Sequence, residues 1–184
     1  MDFCSIASGS SGNCTYTGTD HTALLVDAGV SARQIEKGLK SIDRTATDID
    51  GILVTHEHSD HIKGLGVLSR RYGIPIYGTK GTLNAIANCS SLGTIDAGLY
   101  REIHVDEDFQ VGDVTVHPFE IPHDAAQPSA YRISHEETSV AVVTDLGVFS
   151  DYIIENMKGL DAVLLEANHD IRMLQAGPYP YYLK

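Results

Sequence analysis

The 184-residue chain has few cysteines, few basic side chains and no long apolar run. Each shortage removes a class of protein. Cys4, Cys14 and Cys89 form an odd, sparse set without a CxxC pair, so a disulfide framework is excluded and a reduced, intracellular setting is expected. Lys and Arg total 13 against 25 Asp and Glu, a formal charge of -12. No basic patch is present to draw nucleic acid from a distance. An acidic chain still accepts phosphates where metal ions supply the local positive charge. No apolar run approaches the ~20 residues that cross a bilayer, so no membrane partner is expected. The opening MDFCSIASGSSGNCTY has neither the basic nor the apolar region of a signal peptide. Cytoplasmic location is the expectation. No repeat or low-complexity linker interrupts the sequence, and 42% hydrophobic with 21% charged residues fits one globular domain over 1–184.

What is present alternates between strand and helix signals. FCSIAS reads as a short strand, followed by the loop SGSSGNC. TYTGTDHTALLVDAG reads as a hairpin around Gly18-Thr19-Asp20. Ile35, Leu39 and Ile42 share one helical face, with Ser31 as N-cap. GILVTH is a buried-type strand. HIKGLGVLSRRYG, carrying Ile62, Leu65 and Leu68, predicts one helix stopped by Gly73. IPIYG then reads as a strand and TKGTLNAIANCSS as a short helix. REIHV, DFQVGDVTVHPFEI, SAYRISHE and TSVAVVTDLG are strand-like. DYIIENMKGL is helical and DAVLLEANH extended. Hairpins mixed with β-helix-β units predict an α/β molecule with two sheets and helices outside.

The chemistry concentrates in VTHEHSDH, residues 54–61. In an extended segment residues two apart point to the same side, so His56 and His58 can converge on one ion. Asp60 and His61, at the start of the next helix, can face a second. Imidazole and carboxylate suit zinc, iron or manganese. Without a metal such a turn accumulates polar groups that burial penalises. A polar surface loop is the bland alternative, but HxHxDH directly after GILVT is far more specific than a chance HxH. His123 in IPHD, Asp145 in TDLG and His169 in EANHD each end a strand-like run. Alone, each reads as an ordinary loop residue. Together they are better explained by one site at the sheet edge. His21, His104, His117 and His135 have no convergent partners and read as structural or exposed, and the cysteines as packing groups.

THEHSDH resembles the signature turn of the metallo-β-lactamase fold, and Asp27 in VDAG, His123 and Asp145 resemble its other recurring positions in the right order. FCSIASGSSGNCTY, TDLG and LLEANHD are more similar still to the YycJ/WalJ-like group, described as bacterial DNA exonucleases. The resemblance implies an αββα sandwich of two mixed sheets flanked by helices. It implies that His56, His58 and His123 hold one divalent ion, zinc or manganese, that Asp60 and His61 hold a second, that Asp145 bridges them, and that Asp27 orients the turn. It also implies a late metal-binding histidine beyond a further helix and strand. The chain ends at GPYPYYLK without one, so a domain lacking its C-terminal part is expected. His169 comes too early to match, and remains a candidate phosphate contact, proton donor or substitute ligand.

Two such ions ready a water for in-line attack on phosphorus. Asp60 would orient the nucleophile and His169 protonate the leaving oxygen. The expected activity is phosphodiester hydrolysis, of DNA above all, in the 5′-to-3′ direction. The loop Ser8–Asn13 offers N-H groups suited to an anion, or is a plain surface turn. Hydrolysis of a small thioester or cyclic phosphodiester is the rival, because fold does not fix function. The acidic balance favours that rival. A non-catalytic binding or redox module is a third reading. The redox version calls for a carboxylate where this chain has His58.

Overall fold

A computed structural model describes residues 1–166 of the chain. Within these residues, eleven strands form two sheets. Strands β1 (Asp2–Ala7), β2 (Cys14–Gly18), β3 (Ala23–Val26), β4 (Gly51–Leu53), β5 (Ile76–Thr79) and β6 (Tyr100–Ile103) lie side by side in chain order. β1, β2 and β3 pair antiparallel, whereas β3 to β6 pair parallel through helical crossovers. Strands β7 (Phe109–Val111), β8 (Val114–Glu120), β9 (Ser129–His135), β10 (Thr138–Val143) and β11 (Ala162–Leu165) form the second sheet in the order β11-β10-β9-β8-β7. Only β10 and β11 are parallel in it, joined through α5 (Asp151–Asn156).

The side-chain period of two sorts each strand between layers. Leu24 and Val26 of β3 and Leu53 of β4 face Val114, Val116, Tyr131, Ile133, Val140 and Val142 of the second sheet. Leu25 and Ile52 face the opposite way, onto Ile35 and Leu39 of α1 (Ala32–Ser41) and Leu68 of α3 (Leu65–Tyr72). Ala141 and Val143, on the outer side of β10, pack with Phe119 and Ile153 of α5. Three buried clusters therefore separate four layers: helix, sheet, sheet, helix. Both faces of the central strands are covered, which is why GILV and AVV are continuous apolar runs rather than alternating ones.

Local signals act where the sequence places them. Ser31 begins α1 in a capping box with Gln34, and Gly73 ends α3 in the left-handed region at φ 69°. α4 (Lys80–Ala87) is capped by Thr79, whose hydroxyl accepts the N–H of Thr82. One expectation is corrected. HIKGLGVLSRRYG is not one helix but two, α2 (Ser59–Ile62) and α3, broken at Lys63-Gly64. The Gly64 N–H donates to Ala28 O at 2.7 Å instead of continuing a helical ladder. A Cβ there would lie 2.4 Å from Val30 O, so the chain is pinned against the segment after β3.

Candidate metal centre

The site lies where strands of both sheets end. β3 runs into Asp27, β4 into His56, β8 through Ile121-Pro122 into His123, and β10 into Thr144-Asp145. Asp27 and Asp145 both take left-handed backbone, at φ 62° and 53°. Outside glycine this conformation is sparsely populated, though Asp is among the residues that tolerate it, and it recurs where a side chain must be aimed.

Asp27 is 1% exposed and organises the turn. Its Oδ1 accepts the Thr55 N–H at 2.9 Å. Its Oδ2 accepts the Thr55 hydroxyl and meets His61 Nδ1, both at 2.8 Å. Because Thr55 gives its proton to Asp27, the 3.0 Å contact between Thr55 Oγ1 and His56 Nδ1 requires His56 to donate. One carboxylate thus fixes the ring orientation of two histidines and turns both Nε2 atoms toward the centre.

Backbone contacts close the arrangement. Asn13 N–H donates to Asp60 O, Gly29 N–H to Asn13 O, and Ala28 N–H to His61 O, all within 2.7–2.8 Å. A Cβ on Gly29 would sit 1.5 Å from Asp60 O, so only glycine fits there. The second sheet is bonded to the same turn: Tyr131 donates its hydroxyl to Val54 O at 2.8 Å, and Ser129 N–H donates to Thr55 O. These bonds explain why β4 ends at Leu53, before the expected GILVTH is complete.

Donor atoms of His56, His58 and His123 lie within 4.8 Å of one another, as do those of His56, His61 and Asp145. His56 belongs to both groups. The rings of His58 and His123 each stand 4.6 Å from that of His56, and the ring of His61 stands 4.0 Å away. Asp145 Oδ2 is 2.9 Å from His61 Nε2 and 3.7 Å from His56 Nε2. Asp60 joins neither group, although its Oδ2 lies 3.7 Å from His61 Nε2. His169 lies outside the described residues.

The electrostatics of the centre divide its histidines. Burial, then the neighbouring His61, His123 and His58, push the His56 pKa down to about 2. Burial lowers that of His123 as well. At His61 burial opposes the charge, but Asp27 and Asp145 outweigh it and raise the pKa to about 10. The hydrogen bond from His61, against the cost of burial, holds the Asp145 carboxyl below its ordinary range. A divalent ion suits this donor set for a specific reason. His56 Nε2 is buried with no hydrogen-bond partner among the described residues. Its Nδ1 is already engaged by Thr55, so Nε2 presents a lone pair suited to a cation, and its depressed pKa disfavours a proton there.

Several participants left no sequence signal strong enough to find them. Asn13, 5% exposed, places its Nδ2 3.1 Å from His61 Nε2 and accepts the Gly9 N–H on Oδ1. In the loop Ser8–Asn13, the N–H groups of Gly9 and Gly12 bond within the loop and that of Asn13 bonds Asp60 O, so these three support the histidine turn instead of facing an anion. Thr55, Glu57 and Glu166 are the others. Glu57 Oε1 accepts the Ala126 N–H, tying the segment after His123 to the turn. Burial, then Asp145, raises the Glu166 pKa at the end of β11. Of the histidines read as structural, His117 contacts Asp108 and His135 contacts Asp113 O, both away from the centre. Cys14 is buried and its thiol pKa raised well above the ordinary range, by burial first.

The beta-lactamase superfamily domain matches residues 22–177. The chain belongs to this family. It is 42% identical over all 184 residues to exodeoxyribonuclease YycJ of Bacillus anthracis, and 41% identical over 179 residues to exodeoxyribonuclease WalJ of Streptococcus pneumoniae. The second match covers 97% of this chain. The chain spans 69% and 66% of the lengths of these relatives. Zn(2+)-bound PqqB of Methylobacterium extorquens superposes with a TM-score of 0.72 at 20% identity, over 91% of this chain and 64% of that one. A metallo-beta-lactamase of Cronobacter sakazakii superposes at 0.64 and 18% identity, over 78% of this chain and 61% of the other. These superpositions establish the fold of the superfamily member: two mixed sheets flanked by helices. No helix among its described residues is long and apolar enough to cross a membrane.

Proposed function

We propose that this superfamily member is a metal-dependent phosphodiesterase acting on DNA as a 5′-to-3′ exonuclease in the cytoplasm. The observation that carries the reading is the pair of donor groups sharing His56, in a chain similar along its whole length to two relatives named as exodeoxyribonucleases. His56, His58 and His123 would hold one divalent ion, zinc or manganese. His61 and Asp145 would hold a second, with Asp60 beside them. Such ions, when bound, acidify a water and neutralise charge on phosphoryl oxygens.

The chain's own residues supply the rest. Asp27 and Thr55 fix the tautomers, so that His56 and His61 present Nε2 without paying reorganisation at each turnover. Asp60, 33% exposed at its side chain, is open to solvent and can orient an incoming water. His169 is the proposed proton donor to the leaving oxygen. The net charge of -12 disfavours long DNA at a distance, so the metal centre supplies the local attraction. The same charge favours a second reading, hydrolysis of a small thioester or cyclic phosphodiester.

The test is a side-by-side assay of purified protein loaded with manganese, zinc or magnesium. Single-stranded and duplex DNA labelled at either end, a cyclic dinucleotide and a thioester are offered in parallel. Metal-dependent release of mononucleotides from the 5′ end supports the first reading. Turnover of a small ester with no release from DNA supports the second.

A further inference from the structure

The two strand exits that deliver His123 and Asp145 also build a groove that the metal centre does not use. Its volume is about 360 Å³, and it is lined by Glu120, Pro122, Val148, Ser150, Tyr152 and Ile153. Pro122 immediately precedes His123, and Val148 is three residues beyond Asp145. The Gly147 N–H donates to Pro122 O at 3.4 Å, joining the two exits at the groove's edge. The groove thus lies against the two loops that carry His123 and Asp145.

Its walls select what can enter. Four of the seven large hydrophobic side chains exposed among the described residues fall in this one stretch: Val148, Phe149, Tyr152 and Ile154. Val148 is 66% exposed and Phe149 47%. Such a concentration beside a site is not the scatter of single apolar residues that any surface carries. Tyr152 is held rigidly. Its hydroxyl donates to Asp106 Oδ1 at 2.5 Å and accepts the Glu120 N–H at 3.1 Å, leaving the ring as a fixed wall. Asp106 behind the ring and Glu120 on the lining make the groove hostile to a phosphate. A flat, neutral heterocycle is accepted by the same walls, because stacking on an aromatic face needs no charge.

We propose that this groove receives a nucleobase of the substrate strand, stacked against Tyr152 and Val148, while the adjoining phosphate lies at the metal centre. The proposal deepens the phosphodiesterase reading and rests on it for the identity of the strand. It names Tyr152 and Val148 as residues that select nucleic acid over small esters lacking a base. A chain of charge -12 would hold DNA in this way despite the acidic rim: the phosphate is gripped at the metal, and the neighbouring base is held by apolar contact.

The experiment is a double cycle on binding. A fluorescent, nuclease-resistant phosphorothioate strand, and copies with one abasic residue scanned inward from each end, are titrated against metal-loaded protein by anisotropy. Val148→Glu and Tyr152→Leu are each expected to weaken binding about tenfold. At one position near the cleaved end, loss of the base is expected to cost the wild type a similar factor and to cost the variants nothing further. Tyr152→Phe keeps the ring and is expected to bind like the wild type. His135→Gln, at the end of β9 opposite to Ser129, the partner of Glu120, is the control. If Tyr152→Leu fails to fold, Val148→Glu decides, since its site is exposed.

Variants that bind as the wild type, or abasic losses that add to theirs at every position, overturn the proposal. So does a wild-type dimer that these substitutions dissociate, because the groove's occupant would then be a second copy. A base-free diester, bis(p-nitrophenyl) phosphate, separates this outcome from failure of the underlying reading. Its hydrolysis by the wild type alongside additive losses removes only the groove. Its resistance, together with DNA's, alongside non-additive losses leaves a nucleic-acid-binding groove without the phosphodiesterase.

Discussion

The two halves of the metal centre are built differently. The half contributed by the first sheet is buried and over-determined. Asp27, His56 and His61 are each at most 1% exposed, and both carboxylate oxygens of Asp27 are engaged. Gly29 and Asn13 lock the backbone of the turn behind them. The half contributed by the second sheet is looser. His123 and Asp145 sit on partly exposed loops, and His123 meets the cluster through His58 at 3.2 Å. The first half sets the geometry and the second closes on it. The difference is what a site needs if ligands must be preorganised while substrate and product still pass.

The largest effect should come from the backbone lock. Gly29→Ala places a methyl group inside van der Waals contact of the turn's own carbonyl. The expected cost is about 4 kcal/mol or more, read as loss of cooperative unfolding in urea. Wild-type-like stability would mean that the turn has room to shift, and the contrast between the halves would weaken.

Next is Asp27→Ala, which strands two histidines and Thr55 without their common acceptor. Removing one partner from a buried ionic network costs about 3–5 kcal/mol. The matched change in the looser half, Asp145→Asn, should cost about 1–2 kcal/mol while still impairing metal retention. Chemical denaturation of both metal-free variants measures the gap, and equal losses would erase the comparison.

The metal-free protein should also show a particular pH dependence. The folded-state pKa of His56 is depressed to about 2, so its contribution is present above the ordinary value of 6.5 and is lost as pH falls from 6.5 toward 2. That of His61 is raised to about 10, so its contribution is present below 6.5 and is lost as pH rises from 6.5 toward 10. Together they place a stability maximum near pH 6.5, measurable as urea midpoints across pH. In Asp27→Ala the alkaline side should flatten in part, because one of the two charges that raise His61 is gone and Asp145 remains. The smallest effect belongs to His117→Gln, expected within about 0.5 kcal/mol and with unchanged metal content.

The same contrast explains what could be read from the sequence. Periodicity sorted the layers, because a strand covered on both faces is an apolar run whether or not its partners are known. The histidine turn was legible because its residues are consecutive, and Asp27, His123 and Asp145 because each ends such a run. Asn13 and Thr55 were not legible. Asn13 acts by bonding His61 across 48 positions, and Thr55 by bonding Asp27 across 28. No local pattern records such a bond. The break at Gly64 was hidden for the same reason, since its cause is a carbonyl after β3. The groove beside the centre left only scattered apolar letters in FEIP and GVFSDYII.

The central claim is that two donor groups meeting at His56 hold divalent metal. Elemental analysis after zinc or manganese loading and exhaustive dialysis tests it directly, on the wild type, His56→Ala and His123→Ala. Stoichiometric metal in the wild type, nearly all of it lost from His56→Ala and only part from His123→Ala, is the predicted result. A wild type that retains no stoichiometric ion, or a His56→Ala variant that keeps its full complement, would contradict it.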